Sequence, residues 1–185
     1  FYKMYMKAVP KEDFVSLKYV VAGAEKTPKG LHEAWEKHFG SIYLEGYGLT
    51  ETSPVTNVNL PGKNRVGSVG KSVPGLETRI VSIDTREVIE TPDTRGVIEF
   101  KGPNVFGGYL RDEALSTEVL RDGWFHTGDL GSLSADGYLT VDGRLRRFSK
   151  MAGEMVPHGA VEEAINRVWG LEGAPLIAVT GIRDE

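Results

Sequence analysis

The chain has 185 residues and a net charge of −4, enough for one large domain or two small ones. Its 40% hydrophobic and 26% charged residues are those of an ordinary globular protein, and the mild negative balance argues against a nucleic-acid partner. With no cysteine, disulfides, thiolate nucleophiles and Cys-ligated zinc are excluded, and the redox compartment stays open.

The first elements read as strand, helix, strand. Leu17–Val21 is short and largely apolar with β-branched valines, and Gly23 ends it. Thr27 offers an N-cap, Pro28 a first helical position and Gly40 a C-cap, while Leu31, Ala34, Trp35, His38 and Phe39 repeat at spacings of three and four. Ile42-Tyr43-Leu44 follows, which makes the whole a parallel crossover unit. From Arg65 to Arg144 short alternating runs, Thr78–Ile83 and Val97–Lys101, alternate with turns at Pro74-Gly75, Thr94-Arg95-Gly96 and Asp136-Gly137. That texture predicts antiparallel sheet or a small barrel, interrupted by a helix over Ala114–Leu120 with Asp112 as its cap. Past Arg147 a strand pair is expected around Met151–Val156, then a helix from Pro157 to Val168 and a strand over Leu176–Thr180. The expected fold class is therefore α/β plus antiparallel β: a βαβ part over 1–64, a β-barrel part over 65–146, and the start of a small α+β domain over 147–185.

Chemistry is expected beyond the carboxyl ends of the parallel strands, at Gly23-Ala24-Glu25 and at Gly46-Tyr47-Gly48-Leu49-Thr50-Glu51. Glycines there let backbone approach a ligand and leave N–H groups free for anions. Tyr47 can stack on a flat base, Thr50 can donate to a phosphate and Glu51 can hold magnesium; the alternative is a turn beside a core tyrosine. Gly123-Trp124-Phe125-His126-Thr127-Gly128-Asp129-Leu130-Gly131 suggests a rigid wall presenting one carboxylate, able to accept both hydroxyls of a ribose; its alternative is a hairpin turn with a solvated Asp. His126 reads as structural. Gly67-Ser-Val-Gly70-Lys71-Ser72 has two residues between its glycines where a P-loop needs four, and no pair of histidines has zinc-type spacing. Lys3, Lys7 and Lys11 read as a solvated face. No apolar run approaches the ~20 residues that span a bilayer, and FYKMYMKAVP has no signal-peptide pattern.

Together these segments resemble the adenylate-forming superfamily of acyl-CoA synthetases, luciferases and the adenylation domains of peptide synthetases. Five motifs in the family's order carry the resemblance: the turn at Gly23-Ala24, YGLTE at Tyr47–Glu51, GVIEFKGPNVFGGY at Gly96–Tyr109, GWFHTGDLG at Gly123–Gly131 and DGRLRRFSK from Asp142. The resemblance implies the end of a large AMP-binding domain followed by a small C-terminal one. It implies that Gly23, Ala24 and Glu25 line an adenine pocket, that Tyr47 covers the ring beside Gly48, and that Thr50 meets the α-phosphate. By the same resemblance Glu51 holds Mg2+, Asp129 takes the ribose hydroxyls with help from Arg144, and Arg146 falls at the hinge, where the family usually has Asp or Lys. Gly153 and Glu154 belong to a loop that meets the thiol acceptor.

FSKMAGEMVPH followed by VEEAI is similar to the acyl-acyl carrier protein synthetase branch, which includes the synthetase portion of the bifunctional acyl-ACP synthetase and 2-acylglycerophosphoethanolamine acyltransferase; Ala152 departs from an expected glycine. The implied cofactors are ATP/AMP and Mg2+, and the partners are a fatty acid and acyl carrier protein or coenzyme A, with no nucleic acid and a membrane only through the parent protein. The implied location is cytoplasmic, or inner-membrane-associated in that parent. The family's phosphate-gripping loop would precede Phe1 and its adenylation lysine would follow Glu185. The chain is therefore expected to be a fragment, inactive alone. Other readings are an acyl-CoA synthetase, a non-catalytic nucleotide-binding scaffold of the same fold, and an amino-acid-activating domain.

Overall fold

A computed structural model describes residues 2–28, 30–151, 154–170 and 177–181. A short helix α1 (Tyr2–Ala8), which the sequence reading did not anticipate, precedes β1 (Tyr19–Ala22), α2 (Leu31–Phe39) and β2 (Ile42–Gly48). β1 and β2 pair in parallel, with Val21 opposite Leu44 and Ala22 opposite Glu45, as expected for a crossover unit. Trp35, Phe39, Leu31, Tyr43 and Ala22 form its core, with Tyr2 and Phe14 packed against them. The one polar atom of Trp35, its indole N–H, donates to Ser41 Oγ at 2.9 Å. A fully buried side chain of this kind contributes about 2–3 kcal/mol through the water it sheds.

The start of α2 differs from expectation. Its N-cap is Gly30 in the left-handed region (φ 79°), with no side-chain cap bond, so Thr27 does not cap and Pro28 lies before the helix, where its carbonyl accepts from Leu31 N at 3.1 Å. The inward face differs too: Leu31, His32, Trp35 and Phe39 are buried, while Ala34 and His38 are exposed. The C-terminus is as read, with Gly40 at φ 75° and its N–H on Glu36 O.

β2 runs four residues past Leu44, through Gly46-Tyr47-Gly48, and pairs antiparallel with β3 (Val55–Val58), which pairs in turn with β4 (Lys71–Ser72). The second sheet is antiparallel. It comprises β5 (Glu77–Val81), β6 (Gly96–Lys101), β7 (Leu120–Arg121), β8 (Trp124–Leu133) and β9 (Leu139–Arg144), with α3 (Glu113–Val119) before β7. Asp112 caps α3, accepting from Leu115 N at 3.0 Å. Ile80, Ile98, Phe100, Leu76 and Leu139 fill this sheet's inner face. Residues 69–70 tie the two sheets together: Val69 N donates to Leu139 O and Leu139 N to Gly70 O, both at 2.9 Å. The arrangement is the mixed α/β fold with an antiparallel half-barrel that the pattern predicts.

After a 3-10 turn at Leu145–Arg147, β10 (Phe148–Met151) and β11 (Glu154–Pro157) form an antiparallel hairpin, and α4 (His158–Trp169) follows with Pro157 as its N-cap. The strand expected over Leu176–Thr180 is not formed in Ile177–Thr180; Leu176 lies outside the described residues, as does Gly153.

Candidate functional site

A cavity of about 520 Å³ opens where the carboxyl ends of β1 and β2 meet β8 and β9. Two walls come from the parallel unit, Ala22, Ala24 and Glu25 in one and Glu45–Leu49 in the other, and a third from Asp129 and Val141–Arg144. Of the residues singled out in the sequence, Ala24, Glu25, Tyr47, Gly48, Asp129 and Arg144 line this one space. They come from four separate stretches of chain, at 24–25, 47–48, 129 and 144.

Asp129 is not in a turn. It sits within the ten-residue strand β8, where alternation turns Phe125, Thr127 and Asp129 to the buried face. Its residue exposure is 4%. Thr127 Oγ1 donates to Ile98 O at 2.8 Å and accepts from Asp129 N at 3.0 Å, which fixes the backbone that carries the acid. Arg144 lies directly opposite Asp129 in the antiparallel register, and its Nε donates to Asp129 Oδ1 at 2.8 Å. The Tyr47 hydroxyl donates to Asp129 Oδ2. Burial nevertheless raises the Asp129 carboxyl above its ordinary range, outweighing the lowering by Tyr47 and Arg144. Tyr47 is pushed far up as well, by burial first and then by the neighbouring carboxylate. The pair thus presents a tyrosine ring beside an acid whose two oxygens are already aimed at donors. That is a surface suited to a flat ring carrying vicinal hydroxyls.

Gly23 is not in the wall but behind it, where an added Cβ would come within 3.2 Å of Gly46 O; a side chain there would push the strand ends apart. Gly48 has a stricter reason, since a Cβ would collide with the Pro54 carbonyl.

Thr50 and Glu51 do not line the cavity. They lie in a 3-10 turn at Thr50–Thr52 just beyond Leu49, which does. The GPNVFGGY segment straps that turn in place. Asn104 Nδ2 donates to Thr52 O at 2.8 Å and Val55 O at 3.1 Å, Phe106 N to Glu51 O at 2.8 Å, and the Tyr109 hydroxyl to Glu51 Oε1 at 2.8 Å. Burial, then Glu51, pushes the Tyr109 phenol up to about 12, so it remains a donor throughout the working pH range. Arg146 lies in the turn after β9, and Glu154 is exposed at the start of β11; neither lines the cavity.

Three features escaped the sequence reading. Gly67-Ser68-Val69, set aside as a failed P-loop, forms part of the cavity wall. His32 and Glu45 also line it, 3.3 Å apart (Nε2 to Oε2). That distance is in ion-pair reach, but the imidazole N–H is not aligned, and among the described residues the buried His32 Nε2 has no hydrogen-bond partner. His126 is structural as read: its Nδ1 meets Glu99 Oε1 at 2.9 Å on the opposite face of β8, where Arg79 also binds Glu99 and stacks over Trp124 at 4.0 Å.

With four of the five motif segments meeting at one cavity and the fifth strapping the turn beside it, the chain belongs to the AMP-binding enzyme family, whose model matches residues 1–110. The relatives it resembles are acyl- and aryl-CoA ligases. It is 35% identical to a long-chain-fatty-acid–CoA ligase of Bacillus subtilis over 93% of this chain and 30% of that protein. It is 34% identical to a 3-hydroxybenzoate–CoA/4-hydroxybenzoate–CoA ligase of Thauera aromatica over 88% of this chain and 31% of that one. The solved O-succinylbenzoate coenzyme A synthetase of Bacillus subtilis, in complex with ATP and magnesium ion, matches with a TM-score of 0.76 and 28% identity over 89% of this chain and 34% of that one. The chain spans about a third of the length of these relatives.

Proposed function

We propose that the chain is the nucleotide-holding part of an AMP-forming acid–thiol ligase, organised as segments 1–64, 65–146 and 147–185. The observation that carries this reading is the joining of Tyr47, Asp129 and Arg144 around one cavity at the carboxyl ends of parallel strands. In it the base of ATP lies on Tyr47 against Ala24 and Glu25, and the ribose hydroxyls donate to Asp129, taking over the places of Tyr47 and Arg144. The phosphates run past Gly48 and Leu49 to Thr50, whose hydroxyl donates to the α-phosphate.

Magnesium fits beside Glu51. Among the described residues no three acidic or histidine side chains cluster as a metal cage, and Mg2+ asks for none: it takes one or two carboxylates and completes its shell with phosphates and water. Glu51 is one carboxylate, and Tyr109 holds one of its oxygens in place. The ion supplies neutralisation of phosphate charge when bound.

In the first half-reaction a carboxylate oxygen attacks the α-phosphorus and pyrophosphate departs with the electron pair of the broken P–O bond. In the second a thiol sulfur, its proton released to solvent, attacks the acyl carbon, and AMP departs with the electron pair of the broken acyl C–O bond. The chain's part is positioning and electrostatic complementarity. A fatty acid is the substrate proposed, supported by the Bacillus subtilis relative. Coenzyme A as the thiol has the support of both ligase relatives; acyl carrier protein rests on FSKMAGEMVPH alone, with Arg146 as the hinge and Gly153-Glu154 as the acceptor loop. Turning of the small segment about Arg146 would exchange one half-reaction for the other.

Titration of the chain with AMP tests the reading. Saturable binding that Asp129→Ala weakens about 10–100-fold, the equivalent of one charge-assisted bond pair, is expected. No binding to the wild-type chain would overturn it.

A further inference from the structure

We propose that His32 is a positioning residue for base selection: it orients the Glu45 carboxylate to accept from the 6-amino group of a purine in the cavity. The inference rests on the nucleotide reading above and adds a residue and a selectivity to it.

His32 is only 5% exposed, yet among the described residues its Nε2 has no hydrogen-bond partner. Buried polar atoms are nearly always paired, so one left open on a cavity wall has a partner to be supplied. The imidazole is held in place from the other side. It stands edge-on to the Tyr43 ring, with centroids 4.8 Å apart and planes at 71°, in the first turn of α2. Among the described residues, Nε2 comes into ion-pair reach of Glu45 Oε2, at 3.3 Å.

Glu45 is equally unusual. Its side chain is 12% exposed, and among the described residues no hydrogen-bond donor meets the carboxylate. Tyr43, Glu45 and Tyr47 alternate along β2 and so share a face. A base lying on Tyr47 therefore puts one edge toward Glu45, with His32 behind it. A carboxylate there accepts from an exocyclic amine and repels a 6-oxo group, whose lone pairs would face its own. A turn of the carboxylate that aims Oε1 at that amine leaves Oε2 for His32 Nε2–H, already 3.3 Å away, and closes both open valences at once. Without His32 the carboxylate loses its fixed direction, and discrimination falls even where binding survives.

The experiment compares binding of AMP, IMP and purine riboside monophosphate to the full chain by calorimetry. Wild type is expected to prefer AMP to IMP by at least about tenfold, as sites that pair a substrate N–H do. His32→Phe keeps the ring against Tyr43 and should bring the AMP/IMP ratio within about threefold of unity, while His32→Gln, which restores an N–H at similar reach, should recover it. A purely structural role would weaken all three nucleotides together and leave the ratio alone. If His32→Phe does not fold, His32→Met gives the same comparison. An unchanged AMP/IMP ratio in the variant that folds overturns this inference and leaves the nucleotide reading standing; no binding of any nucleotide to wild type overturns both.

Discussion

The Tyr47 hydroxyl donates to the Asp129 carboxylate across 82 positions of chain, so the aromatic platform and the buried acid of the cavity are one unit. Arg144, opposite Asp129 in the sheet, completes it from the solvent side with a half-exposed side chain. Nucleotide binding therefore requires an exchange of partners at Asp129, and the unbound chain keeps the acid aligned until that happens.

The first consequence is a conflict between stability and binding at Asp129. Its carboxyl sits above the ordinary value of 3.8 because burial dominates, so the folded chain holds that proton more tightly than the unfolded one. The folded state gains from this below the ordinary value and loses the gain as pH rises through the raised one. Asparagine stays neutral throughout. Asp129→Asn should therefore stabilise the chain at pH 7 by on the order of 1 kcal/mol, with the difference shrinking as pH falls, while AMP binding weakens by no more than the ~10–100-fold expected of Asp129→Ala. Thermal melts of both proteins from pH 3 to 8 measure it; a variant less stable at pH 7 would contradict the account.

The strap over Glu51 predicts a metal phenotype for a residue outside the cavity. Tyr109→Phe removes the donor to Glu51 Oε1 and leaves Asn104 and Phe106 in place. The fold should lose no more than about 1–2 kcal/mol. The magnesium concentration that half-saturates ATP binding should rise several-fold, and AMP binding without metal should stay as it was. Calorimetry with and without magnesium separates the two, and an equal loss in both would show that Tyr109 acts on the nucleotide rather than on Glu51.

Local pattern made much of this legible. The βαβ unit, the antiparallel half-barrel, the Asp112 cap and the Gly40 terminus all follow from spacing and turn chemistry, because the interactions that set them lie within a few residues. What escaped is non-local or depends on a helix phase. His32 falls outside a three-and-four stripe drawn from Leu31 and Ala34, yet it is buried, in an α2 that begins after Gly30 rather than at Pro28. Asp129 can be read equally as a solvated turn until β6 and β9 flank its strand. Tyr109 meets Glu51 across 58 positions; the tyrosine is visible in GPNVFGGY, but its partner is not.

On the far face of β8, Glu99 offers a test independent of any ligand. Burial alone would raise its carboxyl, but the hydrogen bonds from His126 and Arg79 outweigh that and hold it below the ordinary 4.5. A depressed carboxyl contributes stability above its unfolded value, and that contribution is lost as pH falls through the folded one. Glu99→Gln should therefore cost about 1–3 kcal/mol at pH 7, since it removes the charge and leaves one acceptor oxygen where Arg79 and His126 now have two. The cost should diminish below pH 4.5. Urea melts at pH 7 and pH 3.5 check this; an equal cost at both would mean that packing, not charge, carries the effect.

Two glycines three residues apart should respond very differently to alanine. Both have positive φ, 86° at Gly67 and 85° at Gly70, so both variants bear the backbone penalty of about 1–2 kcal/mol. At Gly67 an added Cβ meets nothing within 4 Å. At Gly70 it would drive into the Val58 carbonyl and the Asn59 amide, on the strap whose carbonyl accepts from Leu139 N and so joins the two sheets. Gly67→Ala should therefore fold with a loss near the backbone penalty, whereas Gly70→Ala should lose at least about 3 kcal/mol or fail to fold. Because the cavity lies between those sheets, Gly70→Ala should also abolish AMP binding wherever some folded protein remains, while Gly67→Ala should retain it within about tenfold. Equal melting temperatures for the two variants would show that residues 69–70 do not hold the sheets together.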